Sequence, residues 1–261
     1  MQPLPPLPAL ADAEMTGHLW VQELVVGHPL RFQLDDSGRI VFADAERELP
    51  EPPPSSLRAT VRHVRERFDR QAIEAAASDT SAVAFYGVAT RFEGVPYDFE
   101  RLPPFLGTDV HDGDDYLPPD RVEQVFDGLG LHPVNAVEKE LDARYTDPAA
   151  IETPDSAWYD GPAAGVVVRN KRGDRAARSD EAASREVEPL PSAPAAAAAA
   201  AVTSRRVRLA ASMARGEAPE FDPVYERVLE LVYREEHARL PGDLDDRAFR
   251  TAVAERVGEL R

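Results

Sequence analysis

Residues 21–32 read Val-Gln-Glu-Leu-Val-Val-Gly-His-Pro-Leu-Arg-Phe, and this stretch decides the fold that we predict for the chain. Its apolar residues predict two strands, His18–Val26 and Leu30–Leu34, with a short break between them. The following Asp35–Gly38 is typical of a hairpin turn and leads into a third strand, Arg39–Phe42. The N-terminal part of the chain is therefore expected to begin with antiparallel strands.

The rest of the first 180 residues mixes strands with helices. Leu57, Val61, Val64 and Phe68 recur at helical spacing, so we expect one amphipathic helix from Leu57 to about Ala77. Apolar runs predict further strands, and one more short helix is expected; these elements are Val83–Ala89, Phe105–Val110, Asp120–Leu129 (the helix) and Gly165–Val168. The fold class is α+β, with antiparallel sheets and flanking helices.

Composition changes near residue 179. Residues 179–201 are charged, then proline-rich, and end in seven alanines, Ala195–Ala201, which predicts a linker whose last part can be helical. Beyond it, apolar spacing predicts a small helical C-terminal domain. The predicted organisation is a main domain at 1–178, a linker at 179–201 and the helical domain at 202–261.

The charge balance is strongly acidic. Forty-seven acidic residues face 30 basic ones, for a net charge of −17; two of the basic residues, Lys139 and Lys171, are lysine, and the other 28 are arginine. Excess carboxylate with little lysine indicates adaptation to a salty cytoplasm, where self-repulsion is screened. An ordinary acidic protein from a GC-rich genome would show the same preference for arginine. In both cases polyanion repulsion argues against indiscriminate nucleic-acid binding.

Several classes of protein are excluded by composition. There is no cysteine, so disulfides and thiolate metal sites are unavailable. No run of about eighteen apolar residues is present, and Met1–Ala11 is proline-rich and unlike a signal peptide. We therefore expect a cytoplasmic protein without a membrane partner.

The frame Glu23-x-x-x-Gly27-x-x-x-Arg31-Phe32 resembles the first motif of the ATP-dependent RNA ligases, which are covalent nucleotidyltransferases. In that family the motif reads Lys-x-Asp-Gly, and the lysine amine attacks the α-phosphate of ATP. Here Leu24 stands at the lysine position and Val26 at the aspartate position. A leucine side chain has no lone pair for phosphorus, so covalent nucleotidyl transfer cannot begin there.

Later segments resemble the other motifs of the same family, in order, over roughly residues 15–180. Val83–Ala89 is similar to the third motif, with Val88 at its glutamate, and Phe105–Val110 is similar to the next, with Asp109 retained. Residues Ala164–Arg169 resemble Glu-Gly-Val-Val-x-Lys/Arg. The glutamate of that motif is Ala164, and the fifth-motif lysine is Ala177.

The resemblance implies a nucleotidyltransferase (RNA and DNA ligase-like) domain whose charged site has been lost. In the family the glutamates at the positions of Val88 and Ala164 help to hold the nucleotide sugar and the divalent metal, and the lysine at the position of Ala177 neutralises phosphates. An unpaired buried charge is costly, so a site without its ligand gains stability by becoming apolar. The implied protein is a haloarchaeal-like pseudoenzyme of the RNA repair class, without a catalytic residue or metal ligand. Its residual nucleotide-binding cleft would be formed by Gly27, Arg31, Phe85, Gly87, Asp109, Arg169 and Lys171.

Cofactors and partners follow from the resemblance alone: ATP and Mg²⁺, or no cofactor, and RNA ends as the bound molecule, with no protein partner indicated. Two alternatives stay open. An active ATP-dependent RNA ligase would need a displaced nucleophile such as Lys171, and a scaffold or partner subunit would bind no nucleotide.

Two charged segments have both functional and ordinary interpretations. A basic segment, made of Arg169, Lys171, Arg172, Arg175 and Arg178, is either a phosphate or RNA contact or a solvated loop that balances nearby acids. The acidic loop Asp109–Asp115 is a candidate for a divalent cation or a solvated turn, and it lacks the calcium-loop pattern.

If the net charge of −17 reflects a saline cytoplasm, salt should stabilise the fold. We expect the melting temperature to climb steeply between low and molar KCl, because screening relieves the repulsion among surface carboxylates. Calorimetry across that range checks the expectation, and a flat response would favour the ordinary acidic protein.

Overall fold

The computed structural model describes residues 4–214 and 219–261, so the first three residues of the proline-rich N-terminal stretch lie outside it. Its contacts divide the chain into two units. The sheet unit consists of Met1–Pro52, Thr60–Thr90 and Val95–Arg185, and the helical unit of Pro53–Ala59, Arg91–Gly94 and Glu186–Arg261. The described residues contain no helix long and apolar enough to cross a membrane.

The strands confirm the α+β class. They are β1 (His18–Glu23), β2 (Gly27–Leu34), β3 (Ile40–Ala43), β4 (Ala84–Thr90), β5 (Phe105–His111), β6 (His132–Pro133), β7 (Ala136–Asp142), β8 (Gly165–Asn170) and β9 (Arg175–Ser179). The helices are α1 (Arg58–Arg67), α2 (Arg70–Ala76), α3 (Pro119–Gly128), α4 (Pro194–Ala201), α5 (Ser204–Met213), α6 (Phe221–Glu235) and α7 (Asp246–Leu260).

Two sheets form the sheet unit. Sheet A has the order β7-β1-β8-β9 and is antiparallel throughout. Sheet B has the order β3-β2-β4-β5-β6, and its only parallel pair among the described strands joins β5 to the short β6. The break between β1 and β2 therefore carries the chain from one sheet to the other within a few residues.

An aromatic core lies on one face of sheet B. The Phe32 ring stacks on Phe85 with centroids 4.9 Å apart, and Phe68 meets both rings edge-on at 5.4 Å. Phe105 and Phe126 close the cluster. Such edge-to-face and offset contacts add to the stability that comes from burying apolar surface. This face of sheet B therefore forms the core of the sheet unit.

The helix predicted over Leu57–Ala77 is two helices. α1 ends at Arg67, and Asp69 adopts an extended conformation and caps α2, its side chain accepting a hydrogen bond from the Ala72 N–H at 3.1 Å. The Asp69 N–H bonds the Leu129 carbonyl instead of continuing the first helix. Aspartate is a strong N-cap, so the break follows from its side chain and from this long-range hydrogen bond.

The alanine run differs from the linker that composition predicts. α4 belongs to the helical unit, where it packs against α7 with Ala197, Ala198 and Ala201 buried. Part of the linker segment does lack helix and strand, at residues 184–193, after a short 3-10 helix at Glu181–Ala183. Packing against α7, which composition does not reveal, buries this low-complexity run in the core of the helical unit.

Candidate functional site

A β-bulge in β5 turns one carboxylate toward sheet A. Tyr86 pairs with Asp109 and Gly87 pairs with Gly107, so Thr108 is the extra residue. A Cβ at Gly107 would meet the Phe126 ring at 2.3 Å, which places that position on the aromatic face of sheet B. The extra residue shifts the alternation, and Asp109 therefore lies on the opposite face, which we call the cleft face.

Two rows of side chains meet across the cleft. On sheet B the register aligns Arg31, Tyr86 and Asp109, and on sheet A it aligns Trp20, Arg169 and Arg175. Directly opposed residues of neighbouring strands share a face, so each row forms a line across its sheet.

Asp109 connects the two rows by pairing with both arginines of the sheet A row. Its Oδ1 lies 2.6 Å from Nη2 of Arg169, and its Oδ2 lies 3.3 Å from Nη1 of Arg175. Arg169 also donates from Nη1 to the carbonyl of the bulged Thr108 at 2.5 Å. The side chains of Arg169 and Asp109 are only 7% and 5% exposed, so the pair is shielded from water and salt.

Arg31 and two tyrosines extend the polar cluster. Arg31 is 7% exposed, and the Tyr86 and Tyr116 ring centroids lie 5.8 Å apart. The guanidinium of Arg175 lies 5.7 Å from the Tyr116 centroid. Burial raises the pKa of Tyr86, so its hydroxyl stays neutral and can donate at ordinary pH. We call Arg31, Tyr86, Asp109, Tyr116, Arg169 and Arg175 the cationic end of the cleft.

The other end of the cleft is apolar. Val26 and Ala164 pack in a cluster with Val25, Tyr97 and Leu106, and Ala164 is 4% exposed. The main chain is fixed by hydrogen bonds from the Leu24 N–H to the Gly165 carbonyl and from the Val26 N–H to the Tyr97 hydroxyl, both 3.1 Å. Two of the positions at which the resemblance implies a lost charge, Val26 and Ala164, thus lie in a packed apolar cluster, and Leu24 directly precedes its member Val25; we call this cluster the apolar end.

One buried carboxylate, that of Glu23, lies beside the apolar end. Glu23 is fully buried, and its carboxylate accepts hydrogen bonds from Ser156 Oγ at 2.6 Å and from the Ala157 N–H at 3.0 Å. Burial raises its pKa above the ordinary value of 4.5. Sequence reasoning placed Glu23 in the motif frame without a role; an acid at the end of an apolar strand was the available signal.

Both lysines are engaged elsewhere. Lys171 Nζ lies 2.7 Å from Glu140 and 3.4 Å from Asp120, and the Glu140 hydrogen bond raises the pKa of the lysine. Lys139 Nζ lies 2.7 Å from Glu123 and 4.7 Å from the Trp20 ring centroid. The raised pKa of Lys171 is the opposite of the lowered pKa that an activated nucleophile needs.

The residues predicted for the residual cleft separate into four groups. Arg31, Asp109 and Arg169 meet at the cationic end, while Phe85 lies in the aromatic core and Lys171 binds surface acids. The two glycines permit close backbone packing: a Cβ would lie 2.5 Å from the Ala89 carbonyl oxygen at Gly27, and 2.2 Å from the Leu106 carbonyl oxygen at Gly87.

The basic segment is divided in the same way. Only Arg169 and Arg175 of its five cations pair with Asp109, whereas Arg172 donates to Thr16 and Arg178 to the Ala149 and Ile151 carbonyls. Tyr116, which lies against Arg175, was not singled out from sequence. Its contact comes from the chain returning after β5, which a linear pattern does not encode.

The donor set does not fit a divalent metal. In residues 4–214 and 219–261, no group of three or more His, Cys, Asp or Glu side chains could hold one. Val88 and Ala164 supply no oxygen at the positions that the resemblance assigns to carboxylates. In the acidic loop, the Asp112 side chain accepts hydrogen bonds from the N–H groups of Asp114 and Asp115, so it stabilises a turn.

Replacing Asp109 with asparagine should destabilise the fold by about 3–5 kcal/mol, because the buried guanidinium of Arg169 and the largely buried one of Arg175 lose their charged partner. Glu123→Gln is the matched control, since its pair with the partly exposed Lys139 should contribute at most about 1 kcal/mol. Urea unfolding of the two variants measures the difference. Equal losses would show that the Asp109 contacts do not hold the sheets together.

The comparisons with known proteins agree with this architecture. The sequence matches no protein-family model and no curated protein. Among solved structures, it is similar to a mutant of Naegleria gruberi RNA ligase with ATP and Mn, at 16% identity and a TM-score of 0.52, over 69% of this chain and 57% of that chain.

A second mutant of the same ligase, with AMP and Mn, gives 16% identity and a TM-score of 0.53, over 70% of this chain and 56% of that chain. The chain thus spans little more than half the length of these ligases. It has the nucleotidyltransferase fold of the ATP-dependent RNA ligases.

Proposed function

We propose that this protein is an RNA ligase-like pseudoenzyme that performs no lysyl-nucleotidyl transfer and still binds a nucleotide or RNA ends in its cleft. In this proposal the sheet unit is the nucleotidyltransferase-like domain and the helical unit is an appended domain. The observation that carries it is the apolar end of the cleft, where Leu24 stands at the motif lysine and neither lysine of the chain is poised to replace it.

The geometry of sheet A argues against a displaced nucleophile. Leu24 bonds to Gly165 at one end of β8, and Lys171 directly follows the other end of that strand. Six residues of strand span roughly 20 Å, which is too far for a lysine at 171 to serve a phosphate held beside Leu24. Lys171 is also protonated and bound to Glu140, so it offers no free electron pair.

Residual binding is supported by the chemistry of the cleft. The apolar end includes the partly exposed side chain of Trp158, whose indole Nε1 is buried without a partner among the described residues. Aromatic faces suit the stacking of a base, and an unpaired indole N–H suits a base acceptor. The neighbouring ligases were solved with ATP or AMP, which motivates nucleotides as the first ligands to test.

Incubation with ATP and Mn²⁺ or Mg²⁺ should leave the intact mass of the protein unchanged. The reason is the missing amine at residue 24 together with the ion pairing of both lysines. The matched control is the double variant Lys139→Arg and Lys171→Arg, which has no lysine at all. An adenylyl adduct on the wild-type protein that disappears in this variant would establish the displaced-lysine ligase and end the pseudoenzyme proposal.

Binding is measured separately by fluorescence anisotropy with labelled ATP and with short RNAs that carry 5′-phosphate or 5′-hydroxyl ends. Trp158→Phe keeps an aromatic ring and removes the indole N–H, so it should weaken nucleotide binding without unfolding the cluster. No binding of any of these ligands to the wild-type protein would favour a scaffold over a binding protein.

Leu24→Lys alone should not restore adenylylation. The substitution returns one of several charged roles, and residues that act as a unit contribute non-additively. The informative comparison is the combined variant Leu24→Lys, Val26→Asp, Val88→Glu, Ala164→Glu and Ala177→Lys, examined by intact mass beside the single change. Appreciable adduct in the single variant would mean that the cleft still positions ATP and metal.

A further inference from the structure

We infer that a groove on the back face of sheet A docks a cationic segment of another protein that carries one apolar side chain as its anchor. Side chains alternate along β1, so Trp20 lies on the cleft face and Val21 on the opposite, back face. The groove has a volume of about 580 Å³ and lies between the β1–β7 pair and the loop at residues 145–154. We call it the back groove.

The floor of the back groove is apolar. Val21 of β1 is buried in a cluster with Leu19, and the partly buried Leu141 of β7 packs against the same cluster. Ile151 of the loop also packs against this cluster from its side of the groove. An apolar side chain that enters the groove therefore meets apolar neighbours, and its burial favours binding.

Two exposed hydrophobic side chains line the back groove. Tyr145 is 84% exposed and Val137 is 40% exposed, and they are two of the five large hydrophobic residues that are exposed in the described part of the chain. Arg144 lies 5.5 Å from the Tyr145 ring centroid, but its charge is paired with Asp142 at 2.6 Å. Tyrosine is enriched among the residues that dominate protein–protein binding, because it buries much apolar area at a low cost in conformational entropy.

The walls of the back groove are acidic. Glu138 lies on β7, whereas Asp147 and Glu152 lie on the loop, and none of the described lining residues is Lys, Arg or His. Glu138 and Glu152 form no ion pair within the described part of the chain. Arg178 donates to two carbonyls of the loop and offsets one of the three charges at most. The groove therefore combines an apolar floor with a net negative charge on both walls.

These charges decide the class of partner. Carboxylates on both walls repel nucleic acid, and they also repel a second copy of this chain, whose net charge is −17. A protein segment with lysine or arginine on both sides of an apolar residue matches the arrangement, because the anchor reaches the floor while the cations face the two walls. A small amine has too few charges to pair with both walls.

The back groove is separate from the cleft. None of the described residues that line it belongs to the apolar end or to the cationic end. Docking of a cationic segment is therefore independent of nucleotide binding. The tests of the proposed function leave this inference unaffected, and its own failure leaves the proposed function unaffected.

The experiment measures the fluorescence anisotropy of labelled nine-residue peptides with the full chain at one fixed ionic strength. The first peptide has a central leucine with two arginines on each side. The second replaces the leucine with glycine, and the third replaces the arginines with glutamates. We expect the first peptide to bind saturably, the second at least about tenfold more weakly because it lacks the buried leucine, and the third not at all.

Variants of the apolar surface test the anchor. Tyr145→Ala should weaken binding of the first peptide by roughly tenfold or more, as expected for an aromatic residue that dominates an interface. Its side chain is 84% exposed, so circular dichroism should show an unchanged fold. Val137→Thr keeps a branched side chain and removes one methyl group from the apolar surface, so it should weaken binding roughly threefold.

A pair of charge-matched double variants tests the walls. Glu138→Gln with Glu152→Gln should weaken binding of the first peptide by roughly fivefold, because two ion pairs are lost. Glu46→Gln with Glu48→Gln is the control, since it removes the same charge from exposed positions that follow β3. The control should change the affinity less than about twofold, because these positions lie outside the groove.

Equal losses in the two double variants would show attraction to the overall charge of the protein and would overturn the inference. The same conclusion follows if the first peptide does not bind, or if the glycine peptide binds as tightly as the leucine peptide. Binding of single-stranded RNA that Tyr145→Ala abolishes would assign the groove to nucleic acid instead. Self-association in sedimentation that the same variant abolishes would assign it to a second copy of the chain.

Discussion

The contact between Asp109 and two arginines of the opposite sheet is the interaction on which the sheet unit depends. One carboxylate forms ion pairs with Arg169 and Arg175, and the bulge at Thr108 both orients that carboxylate and supplies a further acceptor. A buried ion pair adds little stability compared with apolar residues of similar size, but removal of one partner leaves the other charge buried without compensation. The arrangement therefore fixes how the sheets meet more than it adds to stability.

The two ends of the cleft differ in chemistry: one is packed with apolar side chains, and the other holds buried charged groups. At the apolar end, Val26 and Ala164 pack against neighbours that tolerate no unpaired charge. At the cationic end, guanidinium groups outnumber carboxylates and keep unsatisfied donors. The fold of the RNA ligases is in this way combined with a cleft that is apolar at one end and charged at the other.

Sequence patterns predicted the positions of strands and helices more accurately than they predicted which residues contact each other. Strand positions followed from apolar runs, since β2, β4 and β5 begin and end within a few residues of their predictions. The break before Asp69 and the burial of the alanines in α4 were missed, because one depends on the Leu129 carbonyl and the other on packing against α7. In the site, the order of the motifs correctly indicated that Asp109 and Arg169 lie in the cleft. Phe85 was also predicted there, but side chains alternate between the two faces of β4, so Phe85 lies on the aromatic face while Tyr86 lies on the cleft face.

The sequence by itself determined the α+β class, the approximate positions of β1 to β5 and β8, and the presence of leucine at residue 24, because these depend on local spacing and on residue identity. Tertiary structure alone decided which charges meet. Arg31, Tyr86, Arg175 and Tyr116 come together because strand register and a one-residue bulge bring them to one face. Register is set by long-range pairing, and a shift of one residue would turn each side chain to the other side of its sheet.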